Sequence, residues 1–479
     1  MPQPCFASLP TQGAVRLSHD SVDDANAGPS ALSSAVPSGR WSRLARLGSL
    51  ATTVAGGMLA EGARQLAQGK RPRISDLLLT PANARRVTQQ LAQLRGAAMK
   101  VGQLLSMDAG DLLPPELSAI LAQLRSDARA MPKQQVLAVL QASWGADWKQ
   151  QFQQFHFTPV ASASIGQVHR ALHIDGRMLA IKIQYPGVRE SIDSDVDNVA
   201  TLLTLSGLLP KSLDLKPLLQ QAKQQLHDEA DYLREGAYLA RYGHLLADTP
   251  AFLVPELQTD LTTTDVLAMS FVGGVPVEQM ALASQAERDQ IAGLLINLLF
   301  RELFEFRLLQ TDPNFANYRY DARTGQLILL DFGATRPCKP ALVKAFRRLL
   351  TSALMGDRPA MRAAAIALGY FDASTQERHQ LSVLALFDIA LEPLRHDGLF
   401  DFEQADLAQR LRDAGLVLGL DAEFWHIPPA DVLFLHRKLG GLYLLAARLK
   451  ARVNVHQLFK NQPAPGGAQT VKKALHYGQ

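Results

Sequence analysis

The sequence predicts an α+β chain of two lobes, a small strand-rich part followed by a larger helical part, with a helical extension ahead of both. Three observations carry that expectation. Two β-type runs, Phe157 to Leu172 and Met178 to Gln184, flank the pair Asp175-Gly176, a strong short-range hairpin signal. An extended piece from Val266 to Phe271 ends at Gly273-Gly274, where the chain leaves strands for helices. From Ala283 onward, apolar residues recur at helical spacing almost without interruption.

Taken in order, residues 1–40 are rich in Ser, Pro, Gly, Ala and Asp without periodicity and predict a disordered leader. Residues 41–154 predict the helical extension. There Val87, Leu91, Leu94, Ala98, Val101 and Leu105 recur at spacings of three and four, and Pro114-Pro115 opens another helix from Glu116 to about Ala128. Residues 155–272 form the strand-rich lobe. It includes helices from Ser191 to Leu208 and from about Lys216 to Leu246, then strand pieces at Phe252 to Glu256 and Val266 to Phe271. Residues 273–462 form the helical lobe, interrupted by a hairpin from Asp321 to Leu330, and residues 463–479 predict a disordered tail.

The 479 residues are 47% hydrophobic and 20% charged, ordinary for a globular chain of two or three domains. A net charge of +4 creates no field that would recruit nucleic acid, so that class of partner is not expected. Cys5 and Cys338 stand far apart and offer neither a disulfide framework nor a zinc site, which makes a reducing cytoplasm the default expectation. No run of about 18 strongly apolar residues is present. The uncharged stretch Leu47 to Ala60 reads as a small-residue packing helix, with a helix lying on a bilayer as the alternative. The basic segment Leu433 to Lys450, with His436, Arg437, Lys438, Arg448 and Lys450, reads as amphipathic rather than spanning.

The chemistry concentrates in Gln310-Thr311-Asp312-Pro313-Asn314-Phe315-Ala316-Asn317, followed fourteen residues later by Asp331-Phe332-Gly333. An Asp, an Asn five residues on, and an Asp-Phe-Gly after a short hairpin is the spacing of a phosphoryl-transfer site. In that plan Asp312 lies beside the attacking nucleophile, while Asn317 and Asp331 hold the Mg²⁺ that bridges nucleotide phosphates. The apolar run Leu327 to Leu330 reads as a buried strand delivering Asp331. Lys182, the one cation in the apolar strand Leu179-Ala180-Ile181-Lys182-Ile183, would contact the phosphates and pair with a helix carboxylate. Glu229, Asp231 and Glu235 are the candidates. On a regular helix Asp231 and Glu235 share a face while Glu229 points elsewhere, and Glu235 is the expected partner. The small-residue run Ala161, Ser162, Ala163, Ser164, Ile165, Gly166, Gln167 and Val168 stands where a loop would cover the phosphates, with Ala and Ser in place of most glycines. Met269 and Phe271, at the end of the strand leading into the linker, are assigned to the nucleotide. On a helical wheel Gly96, Lys100 and Gln103 cluster opposite the apolar stripe, which by pattern alone is a solvated face.

Together these pieces resemble the UbiB/AarF family of atypical kinase-like proteins from about Trp41 to Lys460. The resemblance rests on Lys-x-Gly-Gln at Lys100 to Gln103, the Ala-rich run at Ala161 to Val168, Glu229-x-Asp231 with Glu235, Gln310 to Asn314, and Asp331 to Arg336. It implies a two-lobed protein-kinase-like fold with the helical N-terminal extension packed over the cleft. Lys100 and Gln103 then point into the nucleotide pocket near Glu229 and Asp231, which reverses the solvated-face reading. Two departures from a protein kinase bear on function. Gln310-Thr311, not His-Arg, precedes Asp312, and helical text resumes near Pro340 with no long docking segment after Gly333.

The resemblance implies a Mg-ATP-binding, kinase-like ATPase supporting ubiquinone (prenyl-quinone) biosynthesis, with ATP or ADP and Mg²⁺ as cofactors. The alternatives are a phosphotransferase acting on a small-molecule, lipid or protein acceptor, and a nucleotide-sensing scaffold without catalysis. Expected partners are the adenine nucleotide, quinone precursors, quinone-biosynthesis proteins and a membrane surface. The expected location is the cytoplasm, peripheral on the inner membrane.

Overall fold

The computed structural model describes Ala97, Lys100, Val101 and residues 130–205, 216–419 and 428–463. The leader, the Leu47 to Ala60 stretch, the Glu116 to Ala128 helix, Gly96, Gly102, Gln103 and the tail beyond Pro463 lie outside the described residues.

Helix α1 (Lys133–Trp144) is followed by strands β1 (Phe152–Phe155), β2 (Ala161–Ser162), β3 (Gly166–His173) and β4 (Met178–Gln184). Helices α2 (Val188–Leu205), α3 (Lys216–Ala230) and α4 (Tyr232–Leu245) come next, then β5 (Phe252–Leu253), β6 (Val266–Ser270) and β7 (Val275–Pro276). Four elements follow around the site: α5 (Gln285–Arg301), β8 (Leu308–Gln310), β9 (Tyr318–Asp321) and β10 (Gln326–Leu329). After β11 (Thr335–Pro337) the chain is mostly helical, through α6 (Pro340–Met355), α7 (Arg358–Leu368), α8 (Glu377–Ala390) and the short α9 (Glu392–Arg395). The last elements are β12 (Phe400–Asp401), α10 (Leu407–Gly419), α11 (Ala430–Arg448), β13 (Arg452–Val453) and α12 (Val455–Lys460).

The first sheet is antiparallel in the order β1-β3-β4-β6, with β2 paired to β3. Alternation along β4 sends Leu179, Ile181 and Ile183 into a core shared with Val136 and Leu140 of α1, and turns Ala180 and Lys182 to the other face. The expected single strand from Phe157 to Leu172 is instead divided by a turn, because the Ala163 N–H donates to the Gly166 carbonyl at 2.8 Å. The Asp175-Gly176 hairpin is present, with Gly176 at φ 93°, a conformation glycine tolerates freely. Helix α1, assigned to the extension in the sequence, packs on the back of this sheet.

A larger core joins α2 to α5 with the helices after Pro340. Within it a second sheet, in the order β5-β10-β9-β7, carries Leu327 and Leu329 inward and presents Asp331 just beyond its β10 end. The chain runs from Asp331-Phe332-Gly333 straight into β11, which pairs with β8, and then into α6.

Two expectations are corrected here. The single helix from Lys216 to Leu246 is broken between α3 and α4, because Asp231 caps the second helix: its carboxylate accepts from the Arg234 N–H at 3.0 Å. The basic residues of the Leu433 to Lys450 segment do not share one surface. Arg437 and Lys438 are 3% and 1% exposed and turn into the core, while Arg448 and Lys450 pair with Glu278 and Glu403. Among the described residues, no helix is long and apolar enough to cross a membrane.

Candidate active site

The uncapped face of β4 opens onto a cleft. Cross-strand partners share a face, so Val168, opposite Lys182, and Met269, opposite Ala180, lie on the same side as the Lys182 ammonium. Val168, Ala180 and Met269 form an apolar roof there. Phe271 sits at its rim, where the Arg170 guanidinium lies 5.2 Å from its ring.

Lys182 Nζ donates to both oxygens of Glu235, at 2.8 and 2.9 Å, and to Asp331 Oδ2 at 3.1 Å. Burial opposes the charge on Lys182, but Asp331 and Glu235 outweigh it and hold the ammonium well above its ordinary pKa. Burial pushes the Glu235 carboxyl up to about 7 against the pull of Lys182. Asp331 moves the other way. Burial would raise it, yet Lys182 and the Gly333 N–H, which donates to Oδ1 at 3.0 Å, keep it below the ordinary carboxylate range. A side chain at Gly333 would stand 3.3 Å from Glu235 Oε2 and 3.5 Å from Asp331 Oδ1, so the glycine leaves this anionic corner open.

Lys100 enters from the extension beside buried Ala97 and Val101 and pairs with Glu229. Glu229 Oε2 also accepts from Ser164 Oγ at 2.8 Å. Burial works against the Lys100 charge and Arg437 repels it, but Glu229 and Asp312 keep its pKa above the ordinary value. The break after Ala230 explains why Glu229 reaches the cleft: the reading on a regular helix, with Glu229 pointing elsewhere, is corrected. Asp231 is corrected too, because its carboxylate is spent on capping α4 at the exposed surface.

Asp312 follows β8 and Asn317 precedes β9. Asn317 Nδ2 donates to Asp312 Oδ2 at 3.4 Å, and the Asn317 carbonyl accepts from the Leu330 N–H at 3.0 Å. Asn317 is thereby tied to the strand end that carries Asp331. Thr311 fastens the loop on its other side, its hydroxyl donating to the Ala334 carbonyl at 2.8 Å.

Of the Ala-rich run, Ser164 and Val168 face the cleft, while Ala161 and Ser162 are exposed on β2 and Ala163 closes the turn. Two residues of the run are corrections. Gln167 is fully buried behind the sheet, where it accepts from the Met131 N–H at 2.8 Å and meets His169 Nε2 at 2.8 Å. Ile165 packs into the main core and its carbonyl accepts from the Tyr185 N–H. Strand alternation is the reason Gln167 leaves the side occupied by Val168.

The donor set fits a nucleotide-bound divalent cation. Among the described residues no three His, Cys, Asp or Glu side chains converge as an all-protein metal cage. Mg²⁺ instead takes one or two carboxylates and completes its octahedron with phosphate and water, and Asp331 with Asn317 is such a set.

The profile of the ABC1 atypical kinase-like domain matches residues 123–365. The chain is 40% identical over 435 residues to "Atypical kinase COQ8, mitochondrial" of Saccharomyces cerevisiae, covering 89% of this chain and 85% of that one. It is also 40% identical over 432 residues to "Atypical kinase COQ8B, mitochondrial" of Rattus norvegicus, covering 89% and 81%. The chain belongs to the ABC1 atypical kinase-like family, the UbiB family. Its α+β architecture is protein-kinase-like. Among solved structures, the erythromycin complex of Rv3197 from Mycobacterium tuberculosis superposes with a TM-score of 0.56 at 25% identity, covering 80% of this chain and 95% of that one.

In this UbiB-family cleft Arg234 escaped the sequence reading, and Arg336 was read only as the end of the Asp331 motif. Arg234 donates to the carbonyls of Gly333 at 2.9 Å and Thr335 at 2.6 Å, and Arg336 donates to Asp228 at 2.5 Å beneath the Phe434 ring. These contacts hold the segment after Asp331 against the α3–α4 break. The available signal was an arginine between Asp231 and Glu235, indistinguishable in sequence from a solvated helix charge.

Proposed function

We propose that the cleft binds Mg-ATP and passes its γ-phosphoryl group to water or a small acceptor rather than to a docked peptide, from a peripheral position on a membrane. Family membership makes the protein an ATP-using atypical kinase in ubiquinone biosynthesis. The observation that supports the finer reading is Lys100, buried, paired with Glu229 and favoured in its charge by Asp312; in this reading it fills the space a docked peptide would need.

In this reading Val168, Ala180 and Met269 receive the purine. Lys182, fixed by Glu235, is the point charge for the inner phosphates. Ser164, in the tight turn at Ala163 to Gly166, presents its hydroxyl near the outer phosphates, and the alanines keep that turn stiffer than glycines would. Asp331 and Asn317 would hold Mg²⁺, which neutralises charge developing on the phosphates. Asp312 orients the attacking oxygen and accepts its proton. Quinone precursors are lipids, which favours a membrane-surface location, and residues 155–272 and 273–462 are the proposed lobes.

Thermal-shift measurements with ADP or ATP, each with and without Mg²⁺, test the binding step. A Mg²⁺-dependent rise in Tm is expected for wild type and its loss for Asp331→Asn. No shift with any nucleotide would refute the reading. Tracing the γ-phosphate then separates release to water from transfer to an added acceptor.

A further inference from the structure

The loop carrying Asp312 is gripped from below by a helix that lies outside the residues matched by the family profile, which end at 365. Helix α11 contributes Lys438, 1% exposed, whose Nζ donates to Gln310 Oε1 at 3.2 Å and to the Tyr318 hydroxyl at 2.9 Å. Gln310 is the last residue of β8 and Tyr318 the first of β9. One ammonium therefore ties together the two ends of the loop that holds Asp312 and Asn317.

The same helix meets the loop a second time. Gly441, one turn beyond Lys438, lies so close to Pro313 that a Cβ there would stand 2.3 Å from the proline Cβ. Contacts between real side chains are never that short, so the helix backbone itself abuts the residue after Asp312. Behind Lys438, Glu302 lies 3.6 Å from Nζ and accepts from the Tyr242 hydroxyl at 2.7 Å. Tyr242 in turn packs on Phe332 at 4.8 Å between ring centroids, so the grip extends to the Asp331-Phe332-Gly333 segment.

A buried Lys–Glu pair adds little net stability over an apolar pair of the same size. What such a pair supplies is geometry, since each hydrogen bond fails if the loop shifts. We propose that Lys438, with Gly441, is a positioning device for this reaction: α11 sets the height and register of the Asp312 loop through Gln310, Pro313 and Tyr318. Lys438 touches no reacting atom, and its effect passes through the loop. The inference rests on the reading of Asp312 as the group that orients the attacking oxygen.

Four variants of the full-length protein test it: Tyr318→Phe, Gly441→Ala, the charge-balanced pair Lys438→Met with Glu302→Gln, and Asp312→Asn as reference. ATP turnover, KM for ATP, Kd for Mg-ADP and Tm are measured on each. The positioning role predicts that kcat falls about 10- to 100-fold in the first three, the range expected from misplacing a catalytic group by an ångström or less. The Kd for Mg-ADP, set by Lys182 and Asp331, should stay within roughly threefold of wild type. Gly441→Ala should lose Tm in either case because of its clash with Pro313; a purely structural role would lower nucleotide affinity along with kcat in all three variants, and that result overturns the proposal. So does wild-type kcat in Tyr318→Phe and the charge-balanced pair while Asp312→Asn is inactive. Full activity in Asp312→Asn would instead overturn the underlying reading, and this inference with it.

Discussion

Lys182 and Glu235 meet through both carboxylate oxygens, at 2.8 and 2.9 Å, in a site where their side chains are 9% and 1% exposed. The pair joins the sheet to the first turn of α4, and Asp331, 3.1 Å from the same ammonium, joins both to the helical part. Position along the chain cannot explain this, since 53 and 149 residues separate the partners. The Asp231 cap does: it ends α3, restarts the helix, and so aims Glu235 at β4.

Glu235→Gln is the informative change at this pair. It keeps the size of the side chain and leaves Lys182 with Asp331, so no unpaired buried charge results. Turnover should fall by about 10- to 100-fold through loss of Lys182 orientation, while Tm changes little. Lys182→Met leaves Glu235 buried and uncompensated, and should cost about 3–5 kcal/mol in stability besides abolishing turnover. Denaturant melts alongside turnover assays check both, and a Glu235→Gln protein with wild-type kcat would remove the pair from the reaction.

Lys100→Ala removes the buried cation paired with Glu229, which also accepts from Ser164, and with it a positive charge that Asp312 feels. Nucleotide affinity and the rate of phosphate release, or of autophosphorylation, should both change, with the rate rising as the cleft opens. Kinetics identical to wild type would show that the Lys100 ammonium does not limit access to the site.

Gly166→Ala probes the end of the Ala163 to Gly166 turn, the proposed phosphate loop. A Cβ at Gly166 would lie 2.4 Å from the Ile183 carbonyl oxygen and 2.7 Å from the Tyr232 hydroxyl. The first neighbour is backbone of β4 and cannot swing aside, so the β3–β4 ladder must shift. Destabilisation of about 1–3 kcal/mol is expected, the usual range for overpacking, together with weaker nucleotide binding. Wild-type stability would mean the ladder relaxes without strain.

Much of this site was legible because its residues are fixed by spacing within single elements. The Asp312-to-Asn317 interval fits one loop, and a lysine inside an apolar strand is costly unless its ammonium reaches solvent or a partner. What was not legible depends on three-dimensional meetings of distant segments. Glu229 looked misdirected because helical periodicity carries no sign of a break, and Asp231 has the composition of both a helix charge and an N-cap. Gln167 sat in a small-residue run, and only the β3 register shows that it faces away from Val168. Lys438 lay among basic residues whose pattern suited a surface, yet its partners Gln310, Tyr318 and Glu302 come from more than a hundred residues upstream.

His169 supplies a pH-dependent term behind the β2–β3 sheet edge. Its ring is fully buried, with Nδ1 2.9 Å from the His156 carbonyl and Nε2 2.8 Å from Gln167 Nε2. In the arrangement that satisfies both contacts, Nδ1–H donates to the carbonyl and the unprotonated Nε2 accepts from the Gln167 amide. Gln167 Oε1 is then free to accept from the Met131 N–H. A second proton on the ring would place two donors face to face. Gln167 could flip its amide only by abandoning Met131. Burial lowers the pKa of His169 from its ordinary 6.5, so the folded state favours the neutral ring. Its contribution to stability is therefore fully present above 6.5 and is lost as the pH falls from there through the depressed folded value. Melting temperature measured from about pH 8 down to about pH 5, where imidazoles titrate, should decline more steeply for wild type than for His169→Gln. Parallel curves for the two proteins would show that the Met131–Gln167–His169 chain survives protonation and that this histidine does not set the acid limit of the sheet.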